Sequence, residues 1–260
     1  MRIRTTLGAA GIAALVGAAT LIPSAQAAPA HAGLLPVRNA TISGNWAGYV
    51  VPTSGVTSVT GSWTVPNAGT LPPGTSSTWT GIGGFSSQDL IQAGTQQLSP
   101  PFDSLITGGA YSAWYEMLPA NPVYITGCSG DPNCTVTPGD AMTVTIANAG
   151  GSNWTISMAD GAKWTYKIAV TYASTESSAE WIHEAPSLAG VLPIPVGNSG
   201  AVTFDGNNRF TAASVSGTIG QGPNVAVEAL PIETTTSSLD TDTDGFNVCT
   251  YALTCAPPAT

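Results

Sequence analysis

From Ser43 to about Glu233 the chain repeats one pattern without interruption: short runs rich in Val, Ile, Thr, Trp and Tyr, set apart by clusters of Gly, Pro, Asn and Asp. No stretch carries helical periodicity, so glycine and proline act as punctuation between strands. The strand candidates are Asn45–Val50, Val56–Val65, Ser77–Gly83, Asp89–Thr95, Ala110–Met117, Ala141–Asn148, Asn153–Met158, Lys163–Tyr172, Ser178–Glu184, Ala201–Phe210 and Val225–Leu230. Many strands at regular spacing predict an all-β fold. They favour a sandwich of two antiparallel sheets, with a barrel as the competitor. The length suits one domain over residues 43–260 rather than two small ones.

The N-terminus has a different character. Met1-Arg2-Ile3-Arg4 supplies positive charge, Leu7 to Leu21 an apolar run, and Ala25-Gln26-Ala27 a small-x-small cleavage site. Together, residues 1–27 read as a secretory signal peptide. Residues 28–42 read as a flexible leader or short propeptide, rich in small residues and proline. No later run is long enough to cross a bilayer, so a secreted, extracellular protein without a membrane anchor is expected.

After that cleavage only Arg38, Lys163, Lys167 and Arg209 are basic, against fifteen acids. Such a surface repels nucleic acid. A chain with so few charges also has few carboxylate pairs to lose as pH falls, which fits an acidic working environment. A monomer is expected.

Export makes disulfides the natural state of the four cysteines. The short spans between Cys128 and Cys134 and between Cys249 and Cys255 favour two local bridges, although sequence leaves the other pairings open. Neither pair has CxxC spacing and His183 is the only histidine in the domain, so no zinc set is read and no cofactor is expected. Asp240-Thr241-Asp242-Thr243-Asp244-Gly245 resembles the opening of a calcium loop. Its closing position, among Thr250 to Cys255, offers only neutral groups, and no metal is assigned. The Thr/Ser/Asp tail from Thr234 and the Cys-closed segment after it read as surface.

The chemistry concentrates in three stretches. Ala179-Glu180-Trp181-Ile182-His183-Glu184, read as a strand, puts Glu180, Ile182 and Glu184 on one face and Trp181 and His183 on the other. A carboxyl on a sheet face walled by apolar groups is a general acid/base candidate, because losing hydration raises its pKa. In Ala113-Trp114-Tyr115-Glu116-Met117-Leu118-Pro119, Trp114, Glu116 and Leu118 share a face. In Leu90-Ile91-Gln92-Ala93-Gly94-Thr95-Gln96, Gln92, Gly94 and Gln96 do. The glycine two residues on from Gln92 leaves room for a ligand backbone, and the Gln92 amide can donate to a developing oxyanion.

Taken with Asn45-Trp46-Ala47-Gly48 and Trp79-Thr80-Gly81-Ile82-Gly83-Gly84, these stretches occur in the order found in the glutamic peptidases, or eqolisins, a family of secreted acid endopeptidases that the chain resembles from about Ser43 to Leu230. The resemblance implies two long, curved antiparallel sheets, concanavalin-like, with the substrate cleft on the concave face. It carries the catalytic Gln onto Gln92 and the catalytic Glu onto Glu184. Cleft-lining roles fall on Trp79, Trp114 and Glu116, and the partners would be protein or peptide substrates. The sequence departs from better-known members at Gly83, Gln96, Leu118 and Pro186, where they carry Asp, Asp, Tyr and Phe. Fewer carboxylates would then couple to Glu184. Two rival readings use the same residues: a glycoside hydrolase with Glu116 and Glu184 as its carboxyl pair, and a non-catalytic sugar- or peptide-binding module using the tryptophans as platforms.

Overall fold

The computed structural model describes residues 23–24, 40–69, 71–104, 108–188, 192–229 and 233–259. The Leu7 to Leu21 run, the cleavage site and most of the leader lie outside the described residues, as does Leu230. No helix among the described residues is long and apolar enough to cross a membrane.

Two large sheets form a sandwich. The eight-stranded sheet runs in the order Thr41–Ser43, Val225–Ala229, Trp46–Pro52, Ser178–Glu184, Thr75–Gly83, Leu90–Leu98, Tyr111–Met117, Val123–Tyr124. It is antiparallel except at its edge, where Thr41–Ser43 pairs parallel with Val225–Ala229. The sandwich of two large, mainly antiparallel sheets is the expected fold. The nine-stranded sheet runs Trp164–Thr171, Asn153–Asp160, Ala141–Gly150, Val56–Thr64, Ala201–Phe204, Phe246–Thr250, Thr234–Thr236, with the hairpin Arg209–Ala212 and Val215–Thr218 attached through Val56–Thr64. A small third sheet pairs Pro23–Ser24 with Ser187–Leu188, and the latter with Leu192–Pro193.

The core between the sheets is made by alternation. Trp154, Ile156 and Met158 point inward from one strand while their neighbours are more exposed. Trp63, Trp181, Phe204 and Phe246 join them, and the last two rings stack at 4.7 Å. Thr75–Gly83 and Leu90–Leu98 instead are buried along both faces. On the face turned away from the second sheet they carry a separate cluster, Trp46, Val50, Trp79, Leu90, Trp114, Leu118, Ile182 and Val227.

Two readings of the sequence are corrected here. Ala201–Phe210 is not one strand: it breaks after Phe204, and Asn208 is turned inward, its amide donating to the Asp244 carbonyl at 2.8 Å. The tail from Thr234 is not merely surface, because Thr234 and Thr235 are buried on an edge strand and Phe246 and Val248 alternate into the core from an inner strand of the nine-stranded sheet. Both local disulfides are present, Cys128–Cys134 with Cα atoms 5.4 Å apart and Cys249–Cys255 with Cα atoms 5.6 Å apart.

Candidate active site

The register of five adjacent strands places the candidate residues on one face in three parallel ladders. The first is Val50, Glu180, Gly81, Gln92, Glu116; the second Gly48, Ile182, Trp79, Gly94, Trp114; the third Trp46, Glu184, Ser77, Gln96, Ser112. Paired residues point to the same side of a sheet, so Gln92, Glu184, Trp79, Trp114 and Glu116 all share the face away from the core between the sheets. Glu184 is level with Gln96, whereas Gln92 is level with Glu180 and Glu116. The Trp79 ladder runs between the two candidates.

Trp79 bridges that stagger. Its indole Nε1 donates to Glu184 Oε2 at 2.8 Å. The far edge of its six-membered ring lies over Gly81, where a β-carbon would come within 3.0 Å of Trp79 Cζ3. Trp46 meets Trp79 edge to face with centroids 5.0 Å apart. The expected room for a ligand beside Gly94 does not exist. A β-carbon there would fall 2.2 Å from the Thr78 carbonyl oxygen and 2.5 Å from Trp79 Cβ, so the missing side chain lets Trp79 close onto the strand.

Glu184 is wholly buried and doubly held, with Asn45 Nδ2 donating to Oε1 at 2.7 Å and Trp79 to Oε2. Burial pushes its pKa well above the usual carboxyl range, and the charge of Glu116 pushes it further, against the pull of the Trp79 and Trp46 indoles. Gln92, equally buried, donates from Nε2 to Glu116 Oε2 at 2.7 Å. That bond fixes which end of the amide faces which way, leaving the second N–H of the same nitrogen for another acceptor. Glu180 is also buried on this face and its pKa is raised by burial, with Ser178 opposing.

A narrow pocket opens beside Glu184, lined by Ser77, Gln96, Trp114, Pro122, Tyr124 and Pro186. Its water-accessible volume is about 10 Å³, room for roughly one water molecule. Gln96 is fixed there by the Tyr124 hydroxyl, which donates to Oε1 at 2.8 Å, and by its own donation to the Gly109 carbonyl at 3.0 Å.

His183 faces the other way, as strand alternation predicts. It sits between the sheets, its Nδ1 3.0 Å from Thr78 Oγ1, and burial lowers its pKa to about 3, so it is neutral and on the opposite face from Glu184. Sequence reasoning gave no role to Asn45, although the Asn-Trp-Ala-Gly stretch was the signal. Ser77 and Tyr124 carried no sequence signal.

The sequence matches the profile of the Peptidase A4 family over residues 44–251. The chain belongs to that family. It is therefore a peptidase, and the glycosidase and binding-module readings fall away. Its fold is also that of solved family structures. It is similar to scytalido-glutamic peptidase bound to a transition state analog inhibitor, with 17% sequence identity, 80% of this chain and 98% of that chain covered, and a TM-score of 0.62. It is also similar to SCP-B, a member of the eqolisin family solved with the tripeptide Ala-Ile-His, with 16% identity, the same coverage and a TM-score of 0.59. No curated protein matches the sequence.

Proposed function

We propose that this A4 peptidase is a secreted, acid-acting endopeptidase that acts as a monomer, with Glu184 and Gln92 carrying the reaction. The supporting observation is the Glu184 carboxyl, buried, held by Asn45 and Trp79, and bordering a pocket for about one water on the face it shares with Gln92. The N-terminal charge, apolar run and cleavage site, with two disulfides, support export.

In the proposed reaction ionised Glu184 takes a proton from the pocket water while the water oxygen attacks the scissile carbonyl carbon. The carbonyl oxygen gains the negative charge and accepts a hydrogen bond from the second Nε2–H of Gln92. The tetrahedral intermediate then collapses, the C–N bond breaks, and Glu184 returns its proton to the departing amine. Glu116 acts by orienting the Gln92 amide.

The test is digestion of a denatured protein in acid buffer by purified variants. Glu184→Gln keeps shape and removes the proton acceptor, and Gln92→Ala removes the oxyanion donor; each is expected to lower turnover by on the order of a hundredfold or more. Glu180→Gln and His183→Ala are expected to keep measurable activity. Wild-type proteolysis by Glu184→Gln would refute the mechanism. Because Gln96 is level with Glu184, Gln96→Ala belongs in the same series, and a larger loss there than in Gln92→Ala would move the donor role to Gln96.

A further inference from the structure

The break in the predicted Ala201–Phe210 strand brings a fourth carboxylate to the Asp-x-Asp-x-Asp-Gly loop that the sequence left open. Asp205, just past the strand Ala201–Phe204, joins Asp240 and Asp244, and one oxygen from each lies within 4.8 Å of the other two. Oxygens around a single calcium ion, at about 2.4 Å from it, can be at most about 4.8 Å apart. The closing acid missing from the segment after the loop is thus supplied from a different part of the chain.

A cluster of acids alone does not make a site, but a further observation points to a ligand. Asp240 and Asp244 are 9% and 7% exposed, and Asp240 Oδ2 and Asp244 Oδ1 are buried without a hydrogen-bond partner among the described residues. Gly245 lets two of the carboxylates close onto its backbone: a β-carbon there would lie 2.0 Å from Asp240 Oδ2 and 3.0 Å from Asp205 Oδ1. Oxygens so placed, deprived of water and of donors, are stabilised by a cation rather than by one another.

No protein cation serves. Among the described residues the ion pairs are those of Lys163 with Asp140 and Asp160. The loop is also already shaped. The Asp240 N–H donates to the Gly245 carbonyl at 2.9 Å, the Gly245 N–H to Asp240 Oδ1 at 3.1 Å, and the Gly220 N–H to the Thr243 carbonyl at 3.0 Å.

We propose that Asp205, Asp240 and Asp244 bind one calcium ion, with Asp242 beside them. The site precedes the strand Phe246–Thr250 and ties it to the end of its neighbour Ala201–Phe204. Its work is to hold the nine-stranded sheet together, away from the face that carries Glu184. Calcium is favoured over magnesium because all-carboxylate sites with this oxygen spacing suit the larger ion, whereas magnesium keeps most of its water.

The experiment uses the purified protein stripped with EDTA and exchanged into metal-free buffer at neutral pH. Calcium chloride is titrated by calorimetry and the thermal midpoint recorded, with magnesium chloride at matched ionic strength as control. We expect one calcium per chain, a midpoint that rises with calcium, and at least a tenfold weaker affinity in Asp205→Asn and Asp244→Asn. Absence of binding heat together with equal midpoints in EDTA and in millimolar calcium would overturn the proposal, whether or not the variants fold. An equal response to magnesium would overturn the choice of ion. Asn variants that raise the midpoint in EDTA and gain nothing from calcium would show that the cluster shares protons instead, which also overturns it.

Discussion

The Trp79 indole donates to Glu184 Oε2 at 2.8 Å from the ladder that separates Glu184 from Gln92. One side chain thus spans the stagger between the two proposed reacting groups, holding the first by its nitrogen and covering the Gly81 position next to the second with its ring. Trp79→Phe keeps most of that ring and deletes the donor. A hydrogen bond to a charged group contributes about 1.5–3 kcal/mol, so kcat/KM is expected to fall roughly tenfold to a hundredfold. Loss of the donor also destabilises the carboxylate. The limb of the pH–rate profile that reports Glu184 ionisation should therefore move to higher pH, and a drop in rate with an unmoved profile would argue against this role.

Asn45 holds the other carboxylate oxygen at 2.7 Å. Asn45→Ala should raise the Glu184 pKa in the same direction and reduce kcat more than it changes KM, because the amide holds the carboxyl and does not itself line the pocket. Initial rates across a substrate series separate the two parameters.

Gly94 is required by the approach of Trp79. Gly94→Ala places a methyl 2.5 Å from Trp79 Cβ and 2.2 Å from the Thr78 carbonyl oxygen. Backbone cannot yield cheaply in the middle of a sheet, so this substitution is expected to cost several kcal/mol. Thermal unfolding measures it, and an unchanged midpoint would mean that the ladder shifts freely.

How far the site could be read from sequence follows from what alternation contains. Within one strand it is complete: Ser178–Glu184 has the predicted ends, and its faces divide Glu180 and Glu184 from His183 as expected. The stagger between strands is set by pairing register, which no single strand encodes, so the level placement of Glu184 with Gln96 was not legible. Asn45 was visible as part of a motif, but its bond to Glu184 depends on two strands separated by most of the chain becoming neighbours. The tail misled because its Thr/Ser/Asp run is polar, while the two inward residues that follow, Phe246 and Val248, are too few to announce an inner strand.

The buried carboxyls give the fold a pH dependence with a definite sign. Glu180 and Glu184 have raised pKa values when folded. Below the unfolded value of about 4.3 both states are protonated and the preference is fully present. As pH rises above that value the unfolded chain releases protons that the folded chain keeps, so stability falls toward the folded pKa. Asp160, raised to about 6, adds to the same trend. Glu180→Gln should therefore unfold at a higher temperature than the wild type near neutrality and at nearly the same temperature in acid. Equal midpoint differences at the two pH values would contradict this account.

His183 acts in the opposite sense, and its effect can be isolated. Its folded pKa is about 3, against an unfolded value of about 6.5. As pH falls through the latter, the unfolded chain gains a proton that the interior refuses, so stability present above about 6.5 is lost progressively down to about 3. The loss is on the order of 4–5 kcal/mol if the difference is fully expressed. Carboxylates with lowered pKa values, such as Asp89 and Asp140, also lose stability in acid, but they do so equally in a variant at position 183 and cancel in the comparison. His183→Gln retains a group able to bond Thr78 Oγ1 and does not titrate. It should be less stable than the wild type at neutral pH, where a fitted ring is lost from the core, and the deficit should shrink or reverse as pH falls toward 3. Denaturant midpoints of both proteins across that range decide the matter: parallel curves would mean that His183 is protonated in the folded chain after all, with the Thr78 hydroxyl or the open position at Nε2 accepting the charge that burial is here taken to exclude.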